Sequence, residues 1–261
     1  MKKNNATLSV YIPTYNRKDR LFELLNSIAA IKTTTGNISF EVVVCDNAST
    51  DGTQNLAHQA VSNNIIDTYI RRRINEGADS NILDCFKFTT GDFVWVLCDD
   101  DIPRPDSIAN IQRVISEHGN SVNLIYVNRR CEWMDGSVQK ERGSDCKEGI
   151  EKNIEKLIVS PGTDLLTAST LVLKRQVQPM TYVQDFGMGN FVSPLCMALD
   201  AISSGPAYLF AEPQLIYREG DKSGWIAEWP KIWKVNVPTL LQKFLKDHQL
   251  AENLVDWSVF Q

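Results

Sequence analysis

Phe93-Val94-Trp95-Val96-Leu97-Cys98-Asp99-Asp100-Asp101 is the stretch whose pattern decides the fold. Six apolar residues run without interruption into three carboxylates. An unbroken apolar run of that length predicts a strand buried on both faces, as in a parallel sheet covered by helices. Pro103, Pro105 and Asp106 follow, and helical spacing predicts a helix over residues 106–117.

Upstream the same rhythm repeats. Residues 8–12 (LSVYI) form a short β-branched run that Pro13 stops, and residues 40–45 (FEVVVC) form another. Residues 68–72 and 123–127 (NLIYV) complete the series. Between them lie helical patterns: Leu21, Leu24, Leu25 and Ile28 behind a capping Asp19, then Leu56, Ala57 and Ala60, then Ile82, Leu83 and Phe86 opened by Gly77. Strands alternating with helices of this length predict an α/β fold with a mostly parallel, Rossmann-like sheet and helices on both faces. Ligands in such folds gather beyond the carboxyl ends of the strands. Three polar clusters sit at those ends: Thr14-Tyr15-Asn16, residues 46–51, and Asp99-Asp100-Asp101.

Beyond residue 127 the rhythm changes. Residues 129–148 read as a polar hairpin or loop, 169–173 as a strand, 191–202 as a helix, and 208–210 and 215–218 as short strands. The segment with Trp225, Trp229, Trp233 and Trp257 reads as helical after Pro230, its tryptophans spaced for packing. These shifts divide the chain into 1–220, with halves 1–127 and 128–220, and an aromatic-rich helical extension at 221–261.

Composition narrows the chemistry. With 43% hydrophobic residues in 261, a substantial core is available. The net charge of 27 − 32 = −5 argues against nucleic acid as the main partner. Six cysteines without a CxxC pair argue against zinc and fit a reducing cytoplasm. The lysines at 2 and 3 lead into no apolar signal core, and no apolar run reaches the roughly 18 residues a membrane helix needs. Peripheral membrane contact through a surface helix stays open.

Three adjacent carboxylates at a strand end repel one another, and a hard divalent cation, Mg²⁺ or Mn²⁺, relieves that repulsion. An acidic turn capping the next helix is the other reading. At the second exit, Asp46 can accept hydrogen bonds from a base or ribose, whereas Asn47, Ser49 and Asp51 can instead cap the next helix, the reading favoured for Ser49 and Asp51. At the first, Tyr15 can stack on a base and Arg17 can reach phosphate. Gly77, after Asn75-Glu76, permits close backbone approach to a ligand.

The ordered series SVYIPTYNR, EVVVCDNASTDGT, NEGAD and FVWVLCDDDIP resembles family 2 glycosyltransferases of the GT-A fold, closely over residues 7–127 and loosely over 128–220. The resemblance also touches abequosyltransferase-like proteins of bacterial O-antigen or capsule synthesis. It implies a nucleotide-sugar donor (UDP-, dTDP-, GDP- or CDP-linked), a glycan or lipid-linked saccharide acceptor, and inversion by direct displacement. Residue by residue, it implies donor contacts at Pro13, Thr14, Tyr15, Arg17, Asp46, Asn75, Gly77, Asp99 and Asp100. Asp99 and Asp101 match the DxD pair, with Asp101 on the metal. Arg218 matches a residue on a loop that closes over the diphosphate. The Glu-Asp pair that usually supplies the general base is missing, and Asp185, in VQDFGMGNF, is the candidate in its place. A sugar nucleotidyltransferase is an alternative, although the Gly-rich basic N-terminal loop it needs is absent. A non-catalytic glycan-binding module is the other.

Overall fold

The computed structural model describes residues 7–36, 39–133, 135–176, 180–219 and 227–260. Trp225, singled out above, lies outside the described residues.

The chain order is β1 (Leu8–Thr14), α1 (Lys18–Thr35), β2 (Glu41–Asp46), α2 (Thr53–Ser62), β3 (Thr68–Arg71), α3 (Ala78–Leu83), α4 (Cys85–Phe88), β4 (Phe93–Val96), β5 (Ile102–Pro103), α5 (Ser107–His118) and β6 (Leu124–Tyr126). The second half adds β7 (Arg129–Trp133), β8 (Val138–Lys140), β9 (Gly149–Glu151), α6 (Ile154–Val159), β10 (Leu171–Lys174), α7 (Thr181–Phe186), α8 (Ser193–Ser204), β11 (Ala207–Leu209) and β12 (Leu215–Glu219). A short α9 (Trp229–Lys231) passes through a π-turn into α10 (Val237–Asp247).

Among the described residues these strands form two sheets. The large one has the order β3-β2-β1-β4-β10-β6-β11-β9. β1, β2, β3 and β4 pair in parallel, and β6 pairs in parallel with β11. β10 inserts antiparallel between β4 and β6, and β9 lies antiparallel at the edge. The mostly parallel sheet expected from the sequence is therefore present, with two reversed strands. The small sheet has the order β5-β12-β7-β8, and its β7–β8 hairpin fills the stretch read as a polar hairpin or loop.

Period-two alternation decides which core each strand residue joins. Val10, Ile12, Val42 and Val44 face α1 and α5, burying Leu21, Leu24, Leu25, Ile111 and Val114. Tyr11, Val43, Val94 and Val96 face the other way, onto the core that holds Leu195 and Leu199 of α8. Leu240 and Phe244 of α10 belong to this second core, so the C-terminal extension is packed into the main body. Each such side chain contributes about 1.5–3 kcal/mol on full burial. Trp229 and Trp233 stack at 5.0 Å, in keeping with a packing role. No helix of the described residues is long and apolar enough to cross a membrane.

The start of α1 differs from expectation. Asp19 lies in its first turn, but the helix has Arg17 at its N-cap without a side-chain cap. The Lys18 backbone N–H donates instead to Asp51 Oδ2 at 2.8 Å. Asp51 also accepts from the Thr53 N–H at 3.0 Å, so one carboxylate serves the starts of both α1 and α2. A remote loop thus replaces the local cap.

Candidate functional site

Parallel pairing brings the three polar exits together. Thr14 is in register with Asp46, and the backbone N–H of Asn47 donates to Thr14 O at 2.9 Å. On the other side of β1, Leu97 N donates to Tyr11 O at 2.9 Å, which carries Asp99 alongside Thr14.

The first exit turns on Asn16, whose φ of 52° is left-handed, a conformation asparagine tolerates. It is pinned from both ends: its N–H donates to Ser49 Oγ at 2.8 Å, and its Oδ1 accepts from Thr50 N at 2.7 Å. Ser49 therefore anchors this turn, where the sequence allowed a helix cap. Thr14 is buried, Tyr15 is exposed, and Arg17 points back at the aspartates.

At the second exit Asp46 is fully buried and committed within the protein. Its Oδ1 accepts from Ser49 N at 2.8 Å and its Oδ2 from the Tyr69 hydroxyl at 2.7 Å, with Arg71 Nε 3.5 Å away. Burial first, and then the bond to Asp46, push the Tyr69 hydroxyl pKa upward. The neighbour that reaches outward is Asn47. Its Nδ2 donates to Asn75 Oδ1 at 2.7 Å and to Gly77 O at 3.0 Å, while its Oδ1 accepts from Glu76 N at 3.0 Å. Asn75 and Gly77, chosen from the sequence, are thus joined to the second exit through Asn47. Gly77 has φ 88°, which favours glycine there.

The third exit is the centre of the site. Arg17 Nη1 lies 3.0 Å from Asp99 Oδ1 and 2.7 Å from Asp100 Oδ2. The backbone N–H of Arg218 donates to Asp101 Oδ1 at 3.2 Å, and its guanidinium bonds the Asp100 carbonyl and Glu23. The bond from Arg218 holds the Glu23 carboxyl below its usual range. Thr14 Oγ1, Asp99 Oδ2 and Asp101 Oδ2 are buried and find no hydrogen-bond partner among the described residues.

The two carboxylate oxygens are surplus acceptors that a hard cation satisfies, even though the Thr14 and Ser169 hydroxyls stand near enough to Asp99 and Asp101 to offset part of their burial cost. Burial first, and the adjacent Asp100 charge next, raise the Asp101 pKa; burial likewise raises that of Asp99, with Arg17 offsetting part of the cost. Donor atoms of Cys98, Asp100 and Asp101 lie within 4.8 Å of one another. Burial and then the Asp101 and Asp100 charges push the Cys98 thiol well up, and soft sulfur is in any case a poor partner for Mg²⁺ or Mn²⁺. The oxygens of Asp100 and Asp101 suit such an ion. Asp99, paired with Asp101 in the sequence reading, spends one oxygen on Arg17 and leaves the other unpartnered.

Asp185 sits apart from this convergence in its contacts. It lies half-exposed on α7, with Lys243 of α10 3.9 Å away. Two other aspartates hold the same region from within. Asp200 accepts from the backbone N–H groups of Tyr182 and Val183, capping α7. Asp79 accepts from those of Asn190, Phe191 and Ser193 at 3.1, 2.9 and 3.4 Å, fixing the loop before α8.

Sequence reasoning passed over Asp79, which stands inside NEGAD, and it passed over Arg129. Arg129 follows the exit of the NLIYV strand, so the rule applied to the other three exits would have found it. Its partner Asp164 is 35 residues away and carried no signal.

Over 114 residues the chain is 38% identical to the abequosyltransferase RfbV of Salmonella typhimurium, covering 43% of this chain and 34% of that protein. An uncharacterized glycosyltransferase of Haemophilus influenzae is 31% identical over 128 residues, covering 49% and 40%. The chain thus matches between a third and two fifths of the length of these relatives. Among solved structures, Staphylococcus aureus TarS 1-349 in complex with UDP-GlcNAc superposes with TM-score 0.64 at 16% identity, covering 93% of this chain and 72% of that one. The mannosyltransferase PcManGT from Pyrobaculum calidifontis, in complex with GDP-Man and Mn²⁺, superposes with TM-score 0.58 at 16% identity, covering 93% and 65%. These two likenesses place the fold in the GT-A class. The family model for glycosyl transferase family 2 matches residues 9–163, more than half of the sequence, and the chain belongs to that family.

Proposed function

We propose that this chain is the catalytic domain of an inverting, metal-dependent glycosyltransferase. It would move one sugar from a nucleotide-sugar donor to a glycan or lipid-linked saccharide in bacterial surface polysaccharide synthesis. The observation that carries the reading is the shelf at the β1, β2 and β4 exits, where Asp99 and Asp101 each bury an oxygen without a partner beside Arg17 and Arg218.

Asp101 and Asp100 would hold the cation, with Asp99 beside them; a bound divalent ion neutralises charge on a departing diphosphate. Arg17 and Arg218 supply donors for the phosphate oxygens from opposite sides. Tyr15, exposed at the first exit, offers a face for the base, and the Asn47–Asn75 pair offers amide groups. In the displacement, the acceptor oxygen bonds the anomeric carbon as the bond to the diphosphate breaks. The acceptor proton passes to a carboxylate, for which Asp185 remains the candidate.

The nucleotide-sugar and Mn²⁺ complexes of the two fold neighbours, and the name of the Salmonella relative, support donor class, ion and setting. Family membership weighs against the nucleotidyltransferase reading. Presenting UDP-, dTDP-, GDP- and CDP-sugars with Mn²⁺ or Mg²⁺, and measuring nucleoside diphosphate release, tests the proposal. Release from one donor class that EDTA abolishes is expected. Tight binding of a glycan with no turnover of any donor would favour the non-catalytic module.

A further inference from the structure

Arg129 begins β7 directly beyond the exit of β6, and it is mostly buried. Its Nη2 donates to Asp164 Oδ1 at 2.8 Å. Asp164 Oδ2 accepts from the Tyr126 hydroxyl at 2.8 Å. Asn128, fully buried, binds the carbonyls of Ser144 and Ala211, each at 2.8 Å, and fixes the backbone from which Arg129 departs. The guanidinium carbon lies 4.1 Å from the centre of the Tyr217 ring. Burial disfavours the Arg129 charge, and Asp164, 2.8 Å away, more than offsets this, so the guanidinium keeps its charge. Yet Nε and Nη1 of Arg129 are buried and find no acceptor among the described residues.

The position of these two N–H groups gives them a role. Tyr217 precedes Arg218, whose backbone N–H bonds Asp101, so Arg129 stands one stacked ring away from the aspartate shelf. It belongs to β7 of the small sheet, paired with β12, which carries Tyr217 and Arg218. Two buried donors left unpaired are costly, and an oxygen-rich ligand would satisfy them. Because Asp164 already balances the guanidinium charge, the site offers hydrogen bonds at little net charge. That favours neutral hydroxyls over another phosphate.

We propose that Arg129, held by Asp164 and Tyr217, contacts hydroxyl oxygens of the transferred sugar and sets donor-sugar preference; this rests on the donor reading given above. The test measures dissociation constants, with Mn²⁺, for UDP, GDP, dTDP and CDP and for hexose conjugates of each, using calorimetry on the full chain. For the best conjugate, R129K keeps a cation for Asp164 but loses the planar fork. Its affinity for the conjugate is expected to fall roughly 10- to 100-fold, while that for the parent nucleoside diphosphate stays within about twofold. The double variant R129M/D164N removes both charges and leaves no lone buried ion, so it gives the same ratio if R129K melts early. Parallel loss of both affinities would place Arg129 on the diphosphate or make it purely structural, and unchanged affinities would also overturn the proposal. Wild-type protein that binds diphosphates but no conjugate refutes the sugar contact while sparing the metal shelf. Protein that binds neither takes the donor reading down as well.

Discussion

Replacing Asp101 by asparagine isolates the charge of the most buried member of the shelf. Asn Oδ1 can keep the bond from the Arg218 N–H, so the change converts one unpartnered, fully buried carboxylate oxygen into an amide. In the metal-free protein this removes a cost. The Asn N–H groups still need acceptors, so the gain comes only from removing the buried charge, whose uncompensated desolvation costs at least about 1–3 kcal/mol. At roughly 2–4 °C per kcal/mol for a chain of this size, the variant should melt about 2–12 °C higher. The sign depends on pH. The Asp101 pKa is raised by burial, so the stability contributed by its neutral form is complete below the ordinary carboxylate range and is lost as pH rises through the raised value. The gain from Asp101→Asn should accordingly be small at pH 4 and grow toward pH 8.

Metal reverses the order. A cation at about 100 times its dissociation constant stabilises the wild type by about 2.7 kcal/mol, and the variant should lose that increment. Differential scanning calorimetry at pH 4 and 8, with and without Mn²⁺, reads all four values. A variant that melts lower than wild type at pH 8 without metal would refute the claim that this carboxylate is held at a cost. A variant that keeps the full Mn²⁺ shift would refute its place in the metal site.

Two further substitutions probe neighbouring links. Arg17→Met removes the cation that Asp99 and Asp100 share, so the metal-free protein should lose about 1–3 kcal/mol and the Mn²⁺-induced rise in melting temperature should exceed that of wild type; a smaller rise would mean that Arg17 does not compete with the ion. Asp79→Ala strips the acceptor from the Asn190, Phe191 and Ser193 N–H groups, and urea denaturation should give a loss of about 1–3 kcal/mol with faster hydrogen exchange at those amides. Unchanged exchange there would show that the loop is held by something else.

The parallel half of the fold was legible because β1, β2 and β4 are buried on both faces, and such strands must be apolar throughout. Their exits were legible for the converse reason: a run of that kind that ends in Thr14, Asp46 or Asp99 places polar groups where the core stops. The insertion of β10 between β4 and β6 was not legible. Leu171–Lys174 carries a strand signal but nothing that specifies its neighbours or direction, which long-range packing decides. Roles were harder to read than places. Asp46 looks available for a ligand until β3 brings the Tyr69 hydroxyl against it. Asp19 looks like a cap until Asp51, 33 residues from Lys18, takes the N–H. In each case a distant partner outcompetes the local reading.

The same distance logic explains why the aspartates sit where they do. β4 belongs to the large sheet and β5, beginning immediately after Asp101, belongs to the small one, so Asp99-Asp100-Asp101 is the crossing between them. The turn closes with Asp101 N donating to Cys98 O at 3.2 Å, which gathers the three carboxylates on one short piece of backbone. Asp99 and Asp100 meet Arg17 from the large sheet's first exit; Asp101 meets the Arg218 N–H from β12 of the small sheet, 117 residues away. The shelf therefore requires both sheets to be in place before its charges are balanced. An acidic turn serving only as a helix cap would need no such convergence, since Asp106 at the N-cap of α5 has no side-chain bond to that helix and α5 forms regardless. The burial at the seam of Asp99 Oδ2 and Asp101 Oδ2, two carboxylate oxygens without a partner among the described residues, is what separates a ligand site from a turn.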